Sequence, residues 1–370
     1  MPKNQYKPQS YIHPGMTLRE KLEEIQMGSK EFAVRTGKPE KTITGILNGN
    51  SSITPEMAVK FEKVLKIPAH FWLNYQAKYN EYIARVKNEE EIQRAIGWAR
   101  FFPYAAMAKL GWIKQTRIIE EKVEALLDFF GVSSKSAWED YYFNKELKVN
   151  FRISLKHSSE AFAISTWLRK GELDAVKLQD IPEYNSEKFR SSLEKIKSVM
   201  AEHPDDFFQK LQKTCMESGV KVIFTPCLPK APIHGSTRWI GSNPVIQLSA
   251  RYRTNDHFWF TFFHEVAHIL KHGKKFISIE NVHYDDEDEE KEREANNFAI
   301  EMTFSNKDEI ELLKDAPITE GKIINFAKKI NTHPAMIIGR FHHKKLFHYS
   351  KGRKFIKAID LTGNFSAKFR

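Results

Sequence analysis

One run of the sequence carries chemistry in its spacing alone. His264-Glu265-Val266-Ala267-His268 sits inside the apolar stretch FWFTFFHEVAHIL at 258–270. On a helix, positions four apart lie on one face about 5–6 Å from each other, so both imidazoles can reach one ion. Glu265, beside the first of them, is placed to act as general base on a metal-activated water. Zn²⁺ brings the pKa of such a water toward ~7. Zinc peptidase sites take three protein ligands and leave a fourth position open. A third donor is available downstream, in Glu292-Arg293-Glu294-Ala295-Asn296-Asn297-Phe298-Ala299. Its spacing predicts a helix on which Glu292 and Asn296 share a face. Ala295, Phe298 and Ala299 form an adjacent apolar face for packing against the first helix. Glu292 can then supply the carboxylate, and Asn296 can hydrogen-bond a ligand imidazole and fix its ring. Glu294 is the competing carboxylate.

Further polar groups flank this pair of helices. His257 lies seven residues before His264, and His272 four after His268. Either can polarise a scissile carbonyl or stabilise its oxyanion. The plainer expectation puts His272 at the helix C-terminus as outer support for the ligands and His257 near the surface. His283 and Tyr284, between the two helices, are within reach of a substrate and are further candidates for transition-state stabilisation. His342 and His343 read as a solvated helix end.

The elements that must position these groups follow from pattern and punctuation. GVKVIFT (219–225), STRWI (236–240) and PVIQLS (244–249) read as strands separated by Pro- and Gly-bearing turns. PVIQLS is expected to form an edge to which a peptide can add as a strand. A helix is expected at about 255–271, then a solvated acidic loop at 285–290, then helices near 290–303, 318–330 and 333–345. A final strand pair is expected around KFIKAIDL. Residues 83–215 read as helix-rich, with Gly131 stopping a helix after Phe130. The aromatics Trp98, Phe101, Phe102, Trp112 and Trp167 are expected in its core.

Residues 16–66 read as four short helices, and 68–82 as a fifth opened by Pro68. Ser29 is the expected N-cap of the second, Gly37 the tight turn after it, and Pro39 the first position of the third, PEKTITGILN. Ile43 and Leu47 face the core, and Asn48-Gly49 ends that helix. Thr54-Pro55-Glu56 supplies a cap, a first helical residue and an acid in the first turn of the fourth. This helix-turn-helix spacing is that of DNA-binding modules whose second member lies in the major groove. Lys38, Lys41, Thr42, Thr44 and Asn48 are the candidate DNA contacts, with Lys supplying phosphate attraction and Thr and Asn reading bases or phosphates.

Two resemblances sharpen this reading. Residues 12–79, from IHPGMTLREKLEEI through IPAHFWLNYQAKY, resemble the DNA-binding domain of HigA-type antitoxins of the Xre class. That resemblance implies a homodimer on a palindromic operator. TFFHEVAHILKH followed by EREANNFAIEM resembles the ImmA/IrrE metallopeptidases, which are gluzincins, and the similarity runs over about 219–347. It implies Zn²⁺ held by His264, His268 and Glu292, with Glu265 as general base and a repressor or antitoxin as protein substrate.

Composition bounds the rest. The 370 residues are 41% apolar and 28% charged, which excludes a wholly disordered chain. Two cysteines, Cys215 and Cys227, cannot build a disulfide framework and read as buried thiols. With no apolar N-terminal stretch, a cytoplasmic protein without a membrane partner is expected. The net charge of +11 suits nucleic acid. It is uneven: residues 1–82 hold 12 basic and 8 acidic side chains, residues 351–370 hold 6 and 1, and Asp285 to Glu294 holds eight acids and two bases.

The expected class is α+β. An all-α helix-turn-helix domain (1–82) precedes a helical middle region (83–215), a gluzincin-like α+β domain with a small sheet (216–347) and a basic tail (348–370). The function expected is a DNA-binding regulator whose zinc endopeptidase cleaves a repressor, an antitoxin or itself to derepress an operon. The alternative is a non-catalytic antitoxin that neutralises a cognate toxin by binding, with a structural or sensory metal.

Overall fold

The computed structural model describes residues 11–142, 159–231, 233–274, 278–279, 286–314 and 317–361. The chain divides into two compact units, Met1–Arg94 and Ala95–Arg370.

The first unit holds α1 (Pro14–Glu24), α2 (Ser29–Thr36), α3 (Glu40–Leu47), α4 (Pro55–Leu65) and the start of α5 (Ala69–Ala99). The fifth helix thus runs well past residue 82. Leu18, Leu22, Phe32, Ile43, Ile46, Phe61 and Trp72 fill the core. Ile46 is the fully buried residue of α3 beside Ile43, while Leu47, expected there, is only half-buried. Gly15 explains how α1 meets α3. A Cβ there would lie 1.7 Å from the Ile46 carbonyl oxygen, so only glycine allows this approach. The His13 Nδ1 atom accepts the Gly15 N–H at 2.9 Å and caps α1. Thr54 caps α4 as expected, accepting the Met57 N–H at 3.3 Å. Two expected helix starts move by one residue. Ser29 begins α2 behind Gly28, whose position carries no side-chain cap, and Pro39 precedes α3, leaving Glu40 first. Gly37 adopts φ +62° at the turn.

The second unit joins a helical layer to one small sheet. The helices are α6 (Tyr104–Lys109), α7 (Ile119–Phe130), α8 (Lys135–Trp138), α9 (Ser159–Lys177), α10 (Ser186–Glu202) and α11 (Phe207–Met216). The strands β1 (Lys221–Phe224), β2 (Gly235–Ile240), β3 (Asn243–Leu248) and β4 (Ser278–Ile279) follow, with α12 (Asn255–Ala267) before β4 and α13 (Asp286–Thr303) to α16 (Pro334–His343) after it. The sheet order is β1-β3-β2-β4. β1 is parallel to β3 and β2 antiparallel to it. β3 is therefore paired on both sides and cannot be the edge expected to accept a peptide.

α10, α11, the sheet, α12 and α13 share one core, with Phe207, Phe208, Trp259, Phe262 and Phe263 among its members. α9 packs onto β3 through Gly171, where a Cβ would lie 2.0 Å from Gln247 Oε1. Buried Arg238 ties β2 to α9 by its 2.9 Å ion pair with Glu172. Trp98, Phe102 and Trp167 are buried as expected, whereas Phe101 is exposed and stacks on Phe162 at 5.0 Å.

Other expectations are corrected. From Asp286 the acidic run is helical, as the opening turns of α13. KFIKAIDL forms a 3₁₀ turn over Arg353–Phe355 and a single antiparallel bridge, Ala358 to Thr254, instead of a strand pair. Cys215 is buried but Cys227 is exposed. His342 is buried and bonds the Lys351 carbonyl at 2.9 Å. Among the described residues, no helix is long and apolar enough to cross a membrane.

Candidate metal centre and reading helix

The two motif helices pack face to face as their spacing predicts. Ala295 and Ala299 are fully buried, and small side chains there let α13 approach α12 closely. The approach brings His264, His268 and Glu292 together, with their ligating atoms all within 4.8 Å of one another. His264 Nε2 lies 3.0 Å from Glu292 Oε2, and His268 Nε2 lies 3.4 Å from Glu292 Oε1. The two Nε2 atoms are 3.0 Å apart. Both rings are buried.

The donor set fits a cation. Asn296 Oδ1 accepts the Nδ1–H of His264 at 3.0 Å, which leaves a lone pair at Nε2. His268 has its own Nδ1 partner, the Nδ1 atom of His272 at 2.9 Å. Burial, followed by the neighbouring rings of His264 and His272, holds the His268 pKa well below its ordinary value. A neutral ring with an available electron pair is the form that binds metal. Glu292 Oε1 is buried and accepts no hydrogen bond among the described residues. Two imidazoles and one carboxylate converging in this way match a zinc site of the open, three-ligand type.

Glu265 is fully buried beside this set. Its position depends on a residue that no sequence signal marked. A Cβ on Gly235 would lie 2.6 Å from Glu265 Oε1 and 2.8 Å from Thr261 Cγ2. Thr237 Oγ1 donates to the Glu265 backbone carbonyl at 3.2 Å and fastens β2 along α12. Beyond Ala267 the helix widens into a π turn over His268–His272. His272, in that turn, links His268 to Glu294, whose Oε2 is 3.0 Å from His272 Nε2. Glu294, the competing ligand in the sequence, does not join the three-residue set. His257 is exposed two turns before His264 and contacts Thr254 at 3.1 Å and Asp256 at 3.3 Å. The structure does not bring it to His264, His268 and Glu292. His283 and Tyr284 lie outside the described residues.

In the first unit, Lys41, Thr42, Thr44 and Asn48 line one shallow concavity with Glu40, Gly45, Asn50 and Ser51. Gly45 belongs there because a Cβ would press to 2.9 Å on Ser51 Oγ. Asn48 Oδ1 and the Leu47 carbonyl accept from Arg19 at 2.9 and 2.8 Å, tying the end of α3 to α1. Lys38 is turned away into an ion pair with Glu56 at 2.9 Å.

Comparison with known proteins agrees with both halves. Residues 215–332 match the IrrE N-terminal-like domain of the M78 peptidases, and residues 18–72 match the helix-turn-helix family model. The HTH-type transcriptional regulator YddM of Escherichia coli (strain K12) is 28% identical over 85 residues, which is 23% of this chain and 88% of that protein. Virulence-associated protein A of Dichelobacter nodosus is 39% identical over 69 residues, 18% of this chain and 68% of that protein. Among solved structures, an addiction-module antidote protein of the HigA family from Coxiella burnetii shares 34% identity over 22% of this chain and 91% of its own, with a TM-score of 0.21. Antitoxin HigA of Pseudomonas aeruginosa, solved with the higBA promoter, shares 28% over 23% and 94%, with a TM-score of 0.22. The chain joins an N-terminal helix-turn-helix domain of the Xre-like class to an IrrE N-terminal-like domain of the M78 peptidase family.

Proposed function

We propose that the chain is a DNA-binding regulator whose second unit is a zinc-dependent endopeptidase acting on a repressor or antitoxin, or on the chain itself, to derepress an operon. The convergence of His264, His268 and Glu292 beside buried Glu265 carries this reading. His264, His268 and Glu292 would hold the ion, with Asn296 and His272 fixing the two rings. Zinc bound there supplies electrophilic activation of water and of the scissile carbonyl. Glu265 takes the proton of the attacking water and returns it to the leaving nitrogen, which makes it base and then acid in one turnover. Its burial keeps it out of bulk water, and Gly235 leaves the space its carboxylate needs. In the first unit, α3 would enter the major groove of operator DNA as one half of a dimer. Lys41, Thr42, Thr44 and Asn48 would face the groove, with Lys38 at its margin.

The test is mass spectrometry of the operon's proteins after co-expression with the parent chain or with Glu265→Gln. Defined fragments are expected with the parent. Cleavage by the zinc-loaded variant should fall by ~10²–10⁴-fold, the usual worth of a general acid–base group. Equal cleavage by both chains would overturn the assignment.

A further inference from the structure

The three-residue set leaves one acidic side chain unexplained, at the far end of its hydrogen-bonded chain. We propose that Glu294, acting through His272, is a positioning residue for the metal: it fixes the order of protons along His272 and His268 so that His268 presents an electron pair at Nε2. This rests on the zinc reading above.

The argument runs inward from the carboxylate. An ionised Glu294 can only accept, so His272 Nε2, 3.0 Å away, must donate. A neutral imidazole that donates from Nε2 accepts at Nδ1. His272 Nδ1 faces His268 Nδ1 at 2.9 Å, so His268 donates from Nδ1. Its Nε2 is then unprotonated and aimed at His264 Nε2 and Glu292. His264 needs no such chain, because the amide oxygen of Asn296 sets its proton directly. The two ligand histidines are thus oriented by two different devices, and both come from α13. The π turn belongs to the same arrangement. It spans His268–His272 and is closed by the Gly273 N–H donating to the His268 carbonyl at 3.2 Å. Single π turns of this kind recur where a helix is adapted to a functional site. The sequence hides the device, since Glu292 and Glu294 are both plain glutamates of an acidic run.

A simple surface charge makes a different prediction. A carboxylate acting only by attraction for a cation would keep its effect when His272 is removed, and neighbouring acids would act alike. Zinc affinity of the full chain, measured by competition with a chelating dye, separates the two. Glu294→Ala, which removes the acceptor, is expected to weaken zinc binding by ~10–100-fold, the range typical of outer-shell partners. In a His272→Ala background the same change should add less than about twofold, because its route to His268 is gone. Glu290→Ala removes an equal charge from the exposed flank of α13 and should leave affinity as in the parent. Melting temperatures in chelator should match across the variants, which excludes a general loss of fold. Zinc affinity of Glu294→Ala equal to that of the parent or of Glu290→Ala overturns the proposal. So does a full additional loss on top of His272→Ala. If the parent itself holds no zinc, the zinc reading falls and this proposal with it; if the parent holds zinc and Glu294→Ala is unchanged, only this proposal falls.

Discussion

Gly235 shows how much of the centre depends on a residue with no side chain. The space a Cβ would occupy is bounded by Glu265 Oε1 at 2.6 Å and Thr261 Cγ2 at 2.8 Å. Gly235→Ala should therefore push the Glu265 carboxylate aside and leave the three ligands in place. Peptide cleavage is expected to drop ~10²-fold, as for a catalytic group displaced by about an ångström, while zinc affinity stays at the parent value. Loss of zinc in this variant would mean that β2 supports the ligands themselves. The convergence of His264, His268 and Glu292 was legible in the sequence because two of them sit four apart on one helix and the third shares a face with Asn296. Gly235 was not, because a glycine before STRWI reads as turn punctuation. Its meaning arises only when β2 docks along α12, some thirty residues on.

At the scale of elements, the packing of α10, α12 and α16 is joined by half-buried His203 and buried His333. His203, which ends α10, accepts from Trp259 Nε1 at 3.1 Å, and His333 caps α16 by accepting the Ala335 N–H at 3.1 Å. Their rings are 5.7 Å apart. Burial first, then for each the nearby Lys357 and for His203 also His333, lowers both pKa values to about 4. Between that value and the ordinary 6.5, the unfolded chain binds more protons than the folded one. Stability therefore rises with pH across this window. It is fully present above about 6.5 and is lost as the pH falls toward 4. Urea unfolding midpoints should drop from pH 7.5 to pH 5. The drop should shrink in the His203→Gln/His333→Gln double variant, whose side chains can still accept. A midpoint that rises on acidification would contradict the assignment. Helix and strand positions were largely readable from periodicity, but these links were not. The contacts of His203 with Trp259 and with His333 join residues more than fifty positions apart, and an isolated His carries no mark of what it will face.

At the scale of the whole molecule, the +11 charge is spread unevenly along the chain. The first unit presents Lys41, Thr42 and Thr44 on a concave surface, and phosphate attraction there needs only local charge. The acids from Asp286 onward open the helix that brings Glu292 to His264 and His268. The order of a helix-turn-helix domain followed by an M78-type domain was legible because each half has its own local spacing. The boundary was less so. The first unit ends inside α5, whose polar and aromatic residues continue across residue 82 without a break. The central claim is that His264, His268 and Glu292 form one metal site. Native mass spectrometry of the zinc-loaded full chain tests it most directly. The account predicts one zinc per parent chain and no retained zinc in Glu292→Ala at the same free zinc concentration. One zinc per chain in both would contradict it.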